Sequence, residues 1–382
     1  MVAKYHLPLC GDIPLCKSSE IMGSSYFENI LRARLDGVRI TPQQALELWS
    51  DAPLELLGEY ALKAKRRVSG DKIYYNQNIH IEPTNVCRFH CRFCSYRRDK
   101  GVDGAWDLSL DEIYDIARSY QNSPITEIHI VGGVHPERGF NHYLEMIKGV
   151  KSILPNVAIK AFTAVELAEM ITDSSLSFEQ GLTALKLAGM EAIPGGGAEI
   201  FDEELRGQIC PDKGSTKMWL EMHRTAHKLG IPTNATILYG HVETLEHRVD
   251  HLDRLRQLQD ESGGFDAFIP LKYRSAGNEL DVKQESTVED DMRMLAMSRL
   301  FLDNVPHIKS YWVMYGKENT ELSLGYGVDD IDGTIDDTTK IFSMAGSQEQ
   351  KPRFTPSAME SMVRRAGFEP HERDTHYNVI TR

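Results

Sequence analysis

TEIHIVGGVHPERGFNHYLEMIKGVKSILPNVAIKAFTAVE, residues 126–166, holds a strand, a helix and a second strand. The first run, TEIHIVGG (126–133), is short and closes on two glycines. FNHYLEMIKGVKSIL (140–154) repeats its apolar residues at helical spacing, and AIKAFTAVE (158–166) returns to strand character. Strands joined across a helix lie parallel, with a right-handed crossover. The same rhythm extends both ways. Further strands are expected at NIHIEPT (around 79–85), GMEAIPGGG (189–197), PTNATILYGH (232–241), FDAFIPLKY (265–273), IKSYWVMYG (308–316) and GVDDIDGTI (327–335). Helices fall between them at 108–122, 177–189, 215–230, 244–262 and 287–304. Two begin with capping signals, Ser109 with Glu112 and Ser177 with Gln180.

Eight such units predict an α/β chain, a (β/α)₈ barrel of the TIM type over residues 76–345; a six-stranded open sheet is the alternative. Residues 1–75 read as a mostly helical extension and 346–382 as a helix and strand packed on the barrel. A chain of 382 residues with 41% hydrophobic and 26% charged residues buries a large core without disulfides. A net charge of −13 argues against nucleic-acid binding and against a polybasic membrane surface. The first twenty residues lack an apolar leader pattern, and no run reaches membrane-spanning length, so a cytoplasmic location with reduced thiols is expected.

NVCRFHCRFCSYRR (85–98) follows the first strand, at the edge where parallel barrels carry their chemistry. Cys87, Cys91 and Cys94 form a Cx₃Cx₂C pattern. Structural zinc asks for four ligands, usually in C-x₂-C pairs, and an ordinary iron–sulfur cluster for four thiolates. No second pair stands nearby: Cys10 and Cys16 lie far upstream and Cys210 is alone. The remaining arrangement is a four-iron cluster on three thiolates, its fourth iron left to an exogenous ligand. S-adenosylmethionine can fill that place through its amino and carboxylate groups.

This spacing, with Phe93 in the aromatic position before the third cysteine, resembles the radical S-adenosylmethionine (radical SAM) superfamily. VGGVHP, with Gly132 and Gly133 ending the next strand, resembles it too. Longer stretches, IEPTNVCRFHCRFCSYRR, IVGGVHPERGFNHYLEMI, IPGGGAEIF and DDIDGT among them, resemble its futalosine-pathway and deazaflavin-type branch over roughly residues 80–345. HRTAHKLGIPTNATILYGHVET resembles the aminofutalosine synthases in particular.

The resemblance implies a [4Fe-4S] cluster on Cys87, Cys91 and Cys94, with S-adenosylmethionine consumed as a co-substrate. Its implied reaction adds the 5′-deoxyadenosyl radical to the vinyl carbon of 3-[(1-carboxyvinyl)oxy]benzoate. Aryl migration and loss of carbon dioxide then give 6-amino-6-deoxyfutalosine, a menaquinone precursor. Phe93, Tyr96, Gly132, Gly133, Glu166, Gly195, Gly196, Gly197 and Glu199 are the candidates to hold the nucleotide. The two carboxylates suit ribose hydroxyls, and the glycines suit close backbone approach. For each carboxylate the plainer reading is a helix N-terminal acid.

His241, Glu166 and His135 are candidate catalytic groups, the histidines as proton carriers or carboxylate partners. Lys272 and Arg274 are candidate carboxylate clamps, with solvated surface charge as the alternative. Arg88, Arg92, Arg97, Arg98 and Lys100 offer a basic rim for an acidic electron donor such as flavodoxin or ferredoxin, or an incidentally charged loop. His223 and His227 stand four apart without the glutamate of H-E-x-x-H. Asp329, Asp330, Asp332, Asp336 and Asp337 are dense enough for calcium but lack an EF-hand's closing glutamate; the resemblance makes them an active-site loop. Two rival functions stand beside the synthase: the cyclising futalosine synthase of the same branch, and a non-catalytic iron–sulfur electron carrier.

Overall fold

The computed structural model describes residues 18–336, 338, 340–347 and 350–381. Cys10, Cys16, most of the leader region read above and Asp337 lie outside the described residues. The strands in chain order are β1 (Lys72–Asn76), β2 (Asn78–Ile81), β3 (Glu127–Ile130), β4 (Ala158–Ala161), β5 (Met190–Ala192), β6 (Thr233–Tyr239), β7 (Phe265–Lys272), β8 (His307–Ile308), β9 (Asp330–Gly333) and β10 (Glu369–Glu372). Gln77 alone separates β1 from β2, and the two behave as one bent strand. β1 pairs with β9 and β2 with β3, both parallel. β2 to β5 form one sheet and β6 to β8 another; the parallel bridge Ile193–Thr233 joins these two, and Lys309–Asp330 joins the second to β9. With β1–β2 counted once, eight parallel strands close the ring, which is the (β/α)₈ barrel and not the open sheet. β10 adds to the other edge of β1.

Strand alternation decides what lies inside. In a strand, neighbouring side chains point to opposite faces. Ile79, Ile81, Ile128, Ile130 and Ile159 are buried in the apolar layer under the helices. The residues between them, Asn78, His80, Glu127, His129 and Lys160, therefore face the lumen. The register sets Asn78 level with Glu127, and His80 level with His129 and Lys160. On the β2–β4 side the lumen is thus polar, and it is stitched together. Glu127 meets His129 at 2.5 Å, Asn76 at 3.0 Å and Lys160 at 3.2 Å.

Both expected capping boxes are present, at Ser109/Glu112 and Ser177/Gln180. Several strand readings were too long; GMEAIPGGG, for one, is strand only over Met190–Ala192. AIKAFTAVE is strand only to Ala161: Phe162 takes a φ of 63° and Thr163 caps a helix over Ala164–Thr172. IKSYWVMYG becomes a helical turn at Trp312–Tyr315. Short apolar runs suit a buried turn as well as a strand, and periodicity does not separate the two. Among the described residues no helix is long and apolar enough to cross a membrane.

Candidate active site

Where the strands end, a cavity of about 320 Å³ opens. The cysteine loop forms one side of it. Arg98 N–H donates to Asn85 O at 2.8 Å and Cys87 N–H to Arg98 O at 3.2 Å, which closes the loop on itself. Asn85 holds the far limb, accepting from Trp106 N–H at 2.8 Å and donating to Gly104 O at 2.9 Å. Cys87, Cys91 and Cys94 all line the cavity and are half-buried. Val134 N–H donates to Cys87 Sγ at 3.3 Å. Burial pushes the Cys87 and Cys94 thiols up. Cys91 is raised chiefly by its hydrogen bond with Cys210, then by burial.

Among the described residues no three His, Cys, Asp or Glu side chains converge closely enough to share one metal ion. In a cubane each thiolate takes a different iron, so three thiols need not meet at one point. The donor set, three inward-facing thiols around an open space, fits the cluster. Loading it removes three thiol protons.

Gly132 and Gly133 line the cavity beside this loop. A Cβ on Gly132 would sit 2.8 Å from Thr84 O, and one on Gly133 2.4 Å from Val86 O. Protein backbone itself therefore demands both glycines, because the end of β3 lies flat against the cysteine loop. Tyr96 supports the same contact: its hydroxyl donates to Thr84 O at 3.2 Å and its ring packs edge-on against Trp106.

Glu166 lines the cavity but lies in the first turn of the helix Ala164–Thr172, past the end of β4. Its oxygens accept from Thr163 N–H at 2.8 Å and Gly132 N–H at 3.0 Å. Burial raises its pKa to about 7, against the pull of the Thr163 and Gly132 bonds. Gly195, Gly196 and Gly197 take φ values of 85°, 82° and 75° in succession, a turn open to glycine and strained for other residues. Gly196 N–H donates to Thr236 Oγ1 at 3.1 Å, and Trp219 Nε1 donates to Gly196 O at 2.9 Å. Glu199, also lining the cavity, is ion-paired to Lys213. Lys213 in turn stands 5.5 Å over the Phe93 ring.

The two candidate histidines stand apart from the cavity lining. His241 folds back into the wall, with Nε2 3.1 Å from Leu238 O and Nδ1 3.3 Å from Glu243. His135 Nδ1 accepts from Glu137 N–H at 3.1 Å, and Nε2 faces Asp107 at 3.4 Å. His223 and His227 both hydrogen-bond Thr233 Oγ1, at 2.9 and 2.8 Å, outside the barrel. Asp329 pairs with Arg299 at 2.6 Å and Asp330 with Arg373 at 2.8 Å. Among the described acids of the loop, Asp332 reaches the cavity, one oxygen held by Lys309 at 2.7 Å. Of the basic rim, Arg88 pairs with Glu169 and Asp173, Lys100 pairs with Glu137, and Arg92 and Arg98 bond backbone carbonyls. Arg97 turns into the cavity.

Sequence reasoning missed His80, Lys213 and Cys210. His80 lines the inner part of the cavity, stacked on His129 at 4.8 Å, and burial takes it down to about 3, hence neutral. The polar–Ile alternation of NIHI and EIHI carried that signal. Nothing local marked Lys213 or Cys210, which arrive from a distant loop.

Comparison with known proteins agrees with this architecture. The family model of the radical SAM superfamily matches residues 81–255, and that of the CofH/MqnC C-terminal region matches 262–382. The chain is 43% identical over 350 residues to aminodeoxyfutalosine synthase of Thermus thermophilus, spanning 91% of this chain and 94% of that one. It is 37% identical to cyclic dehypoxanthine futalosine synthase of Streptomyces coelicolor, over 92% and 88% of the two chains. It is 35% identical to a 5-amino-6-(D-ribitylamino)uracil–L-tyrosine 4-hydroxyphenyl transferase of Methanosarcina mazei, over 92% of both. The crystal structure of methylornithine synthase superposes with a TM-score of 0.72 at 16% identity, over 89% of this chain and 97% of that one, and shares the fold. Three thiols at the mouth of a parallel barrel, and relatives matched over nearly their whole length, place this chain in the radical SAM superfamily, as an enzyme of the futalosine-pathway branch that uses a [4Fe-4S] cluster and S-adenosylmethionine.

Proposed function

We propose that the protein is an aminofutalosine synthase, which joins the adenosyl group of S-adenosylmethionine to 3-[(1-carboxyvinyl)oxy]benzoate. The observation that carries this reading is the 43% identity to the Thermus synthase across 94% of its length. The cavity supports it. When bound, the cluster and its nucleotide supply a one-electron cleavage that releases a 5′-deoxyadenosyl radical. The chain's own residues position and enclose.

Gly132 and Gly133 hold the β3 end close to the cysteine loop, leaving backbone rather than side chain at that wall. Glu166 and Glu199 offer acceptors for ribose hydroxyls, Glu166 with both oxygens already fixed by backbone donors. The turn at Gly195, Gly196 and Gly197 gives a flat surface for an adenine. Leu238, Ile269, Leu271, Met314 and Phe342, also in the cavity lining, supply an apolar wall for an aromatic ring. Such a wall keeps water and stray hydrogen donors from a carbon radical. His241 and His135, fixed outside the cavity lining, act in this reading only by bracing its walls. An acidic one-electron donor of the flavodoxin or ferredoxin kind reduces the cluster.

The experiment is anaerobic reconstitution followed by incubation with S-adenosylmethionine, dithionite and the enol-ether benzoate. One adenosylated, decarboxylated product is expected by mass spectrometry. Free 5′-deoxyadenosine without the adduct would favour the cyclising synthase instead. Intact S-adenosylmethionine would favour an electron carrier.

A further inference from the structure

Two arginines line the cavity beside a single seam. Arg97 ends the cysteine loop and Arg274 follows β7, and both line the cavity. The seam is closed by Ser95 Oγ donating to Ala276 O at 2.5 Å and by Glu279 N–H donating to Arg92 O at 2.7 Å.

Each arginine is anchored from outside. Arg97 bonds His90 Nε2 at 2.6 Å and pairs with Asp99. Arg274 pairs with Glu285 at 3.3 Å and donates to Gly346 O at 3.2 Å. The acids are the solvent-side partners: Asp99 is 65% exposed against 19% for Arg97, and Glu285 30% against 16% for Arg274. This anchoring leaves each guanidinium with an unmatched donor. The Nε of Arg97 and the Nε of Arg274 are both buried with no hydrogen-bond partner. An unpaired donor on a buried cation is unfavourable and asks for an acceptor.

The other two cavity cations are already committed. Lys213 pairs with Glu199, and Lys272 donates to Asp291 and to Ser286 O, each at 2.7 Å. The apolar wall lines the same cavity. A flat apolar surface with two forked cations near it matches an aromatic ring that carries two carboxylates, because guanidinium and carboxylate pair edge to edge.

We propose that Arg97 and Arg274 are the specificity-determining pair of this site, one guanidinium for each carboxylate of an aromatic dicarboxylate substrate. The inference rests on the reaction proposed above and deepens it by naming what selects the substrate.

The test uses the reconstituted full chain with dithionite as reductant. KM for the diacid and for S-adenosylmethionine is measured for the wild type, Arg97→Gln, Arg274→Gln and Arg274→Lys. The two monomethyl esters of the diacid are run alongside. Each Gln variant raises the diacid KM at least about tenfold while KM for S-adenosylmethionine stays within about twofold, as expected for losing one charge-assisted pair. Arg274→Lys recovers part of the loss. Esterifying one carboxylate weakens the wild type but adds nothing further in the variant that lacks its arginine, which is the non-additivity of a direct contact. Asp99→Asn and Glu285→Gln remove the outer charges, the latter keeping an amide oxygen for Ser275 N–H and Oγ, and leave the diacid KM within about twofold, which separates recognition from loop folding. Additive effects of ester and Gln variant, or a parallel rise in KM for S-adenosylmethionine, overturn the pair alone. A wild type that forms no adduct with the diacid overturns the reaction reading and the pair with it.

Discussion

Glu166 shows what a single residue reveals only in context. Its place after a β-rich run reads as a strand end, yet Thr163 and Glu166 form a capping box and turn the chain into a helix. The carboxyl is buried and titrates near 7, above the ordinary carboxylate value of 4.5. A carboxyl raised in the fold contributes stability below its unfolded value, and that contribution is lost as pH rises through the folded one. Between pH 4.5 and 7 the Glu166 contribution therefore declines, and Glu166→Gln removes this part of the slope. Thermal midpoints from pH 4 to 8 check it; parallel profiles for the two proteins would mean that the carboxyl ionises normally. Cys87, Cys91, Cys94 and the glycine runs were legible because spacing and lack of a Cβ are local properties. His241 and His135 were not: Leu238 and Glu243 stand within three residues of His241 and Glu137 two from His135, but only the folded turns, with Asp107 arriving from another loop, show that these groups pin the rings outside the cavity lining. Arg97 passed for surface charge because its place in the cavity lining depends on how the cysteine loop folds.

At the scale of elements, turns and caps were legible, while strand lengths were not. The Gly195–Gly197 turn combines two demands. Its φ values forbid ordinary side chains, and a Cβ on Gly195 would lie 2.8 Å from Asn234 O and 2.9 Å from Thr236 Cγ2. Gly37 has a similar φ of 93° with nothing within 4 Å. Gly37→Ala therefore measures the backbone strain alone, on the order of 1–2 kcal/mol. Gly195→Ala is expected to lose at least about 1 kcal/mol more, since overpacking against fixed backbone adds to that strain. It should also weaken S-adenosylmethionine binding, while Gly37→Ala leaves it unchanged. Urea midpoints and equilibrium dialysis give both quantities; equal losses at the two glycines would show that the close approach relaxes freely. The strand ends at Ala161 and Ile308 escaped prediction because apolar runs there continue into buried helical turns, and burial imposes the same composition on both.

The barrel as a whole follows from the repeated strand–helix rhythm, and its count of eight survives even where individual strands shrink to two residues. What the rhythm does not announce is how the starting end of the barrel is closed. There β10 lies along β1 and delivers Arg373, which is fully buried. Arg373 pairs with Asp330 at 2.8 Å and stands 3.7 Å from Glu127, tying the C-terminal segment to β9 and β3 at once. Burial alone would raise Asp330, but Arg373 and Lys309 outweigh it and hold the carboxyl well below its ordinary value. Removing one member of a buried charge pair leaves the other uncompensated, so Arg373→Met is expected to destabilise by about 3–5 kcal/mol at neutral pH. Adding Asp330→Asn should recover part of that loss, because the stranded charge goes with it. The sign of the pH dependence follows from the depressed carboxyl. Its contribution is present above the unfolded value, near 4, and is lost as pH falls toward the folded one. Wild type should therefore lose stability on acidification below about pH 4, while Arg373→Met, its depression relieved, loses less. The gap between the two urea midpoints narrows from pH 7 to pH 3. A gap that stays constant across that range would mean that Arg373 acts by packing alone, and that the charges beneath the site do not hold the barrel shut.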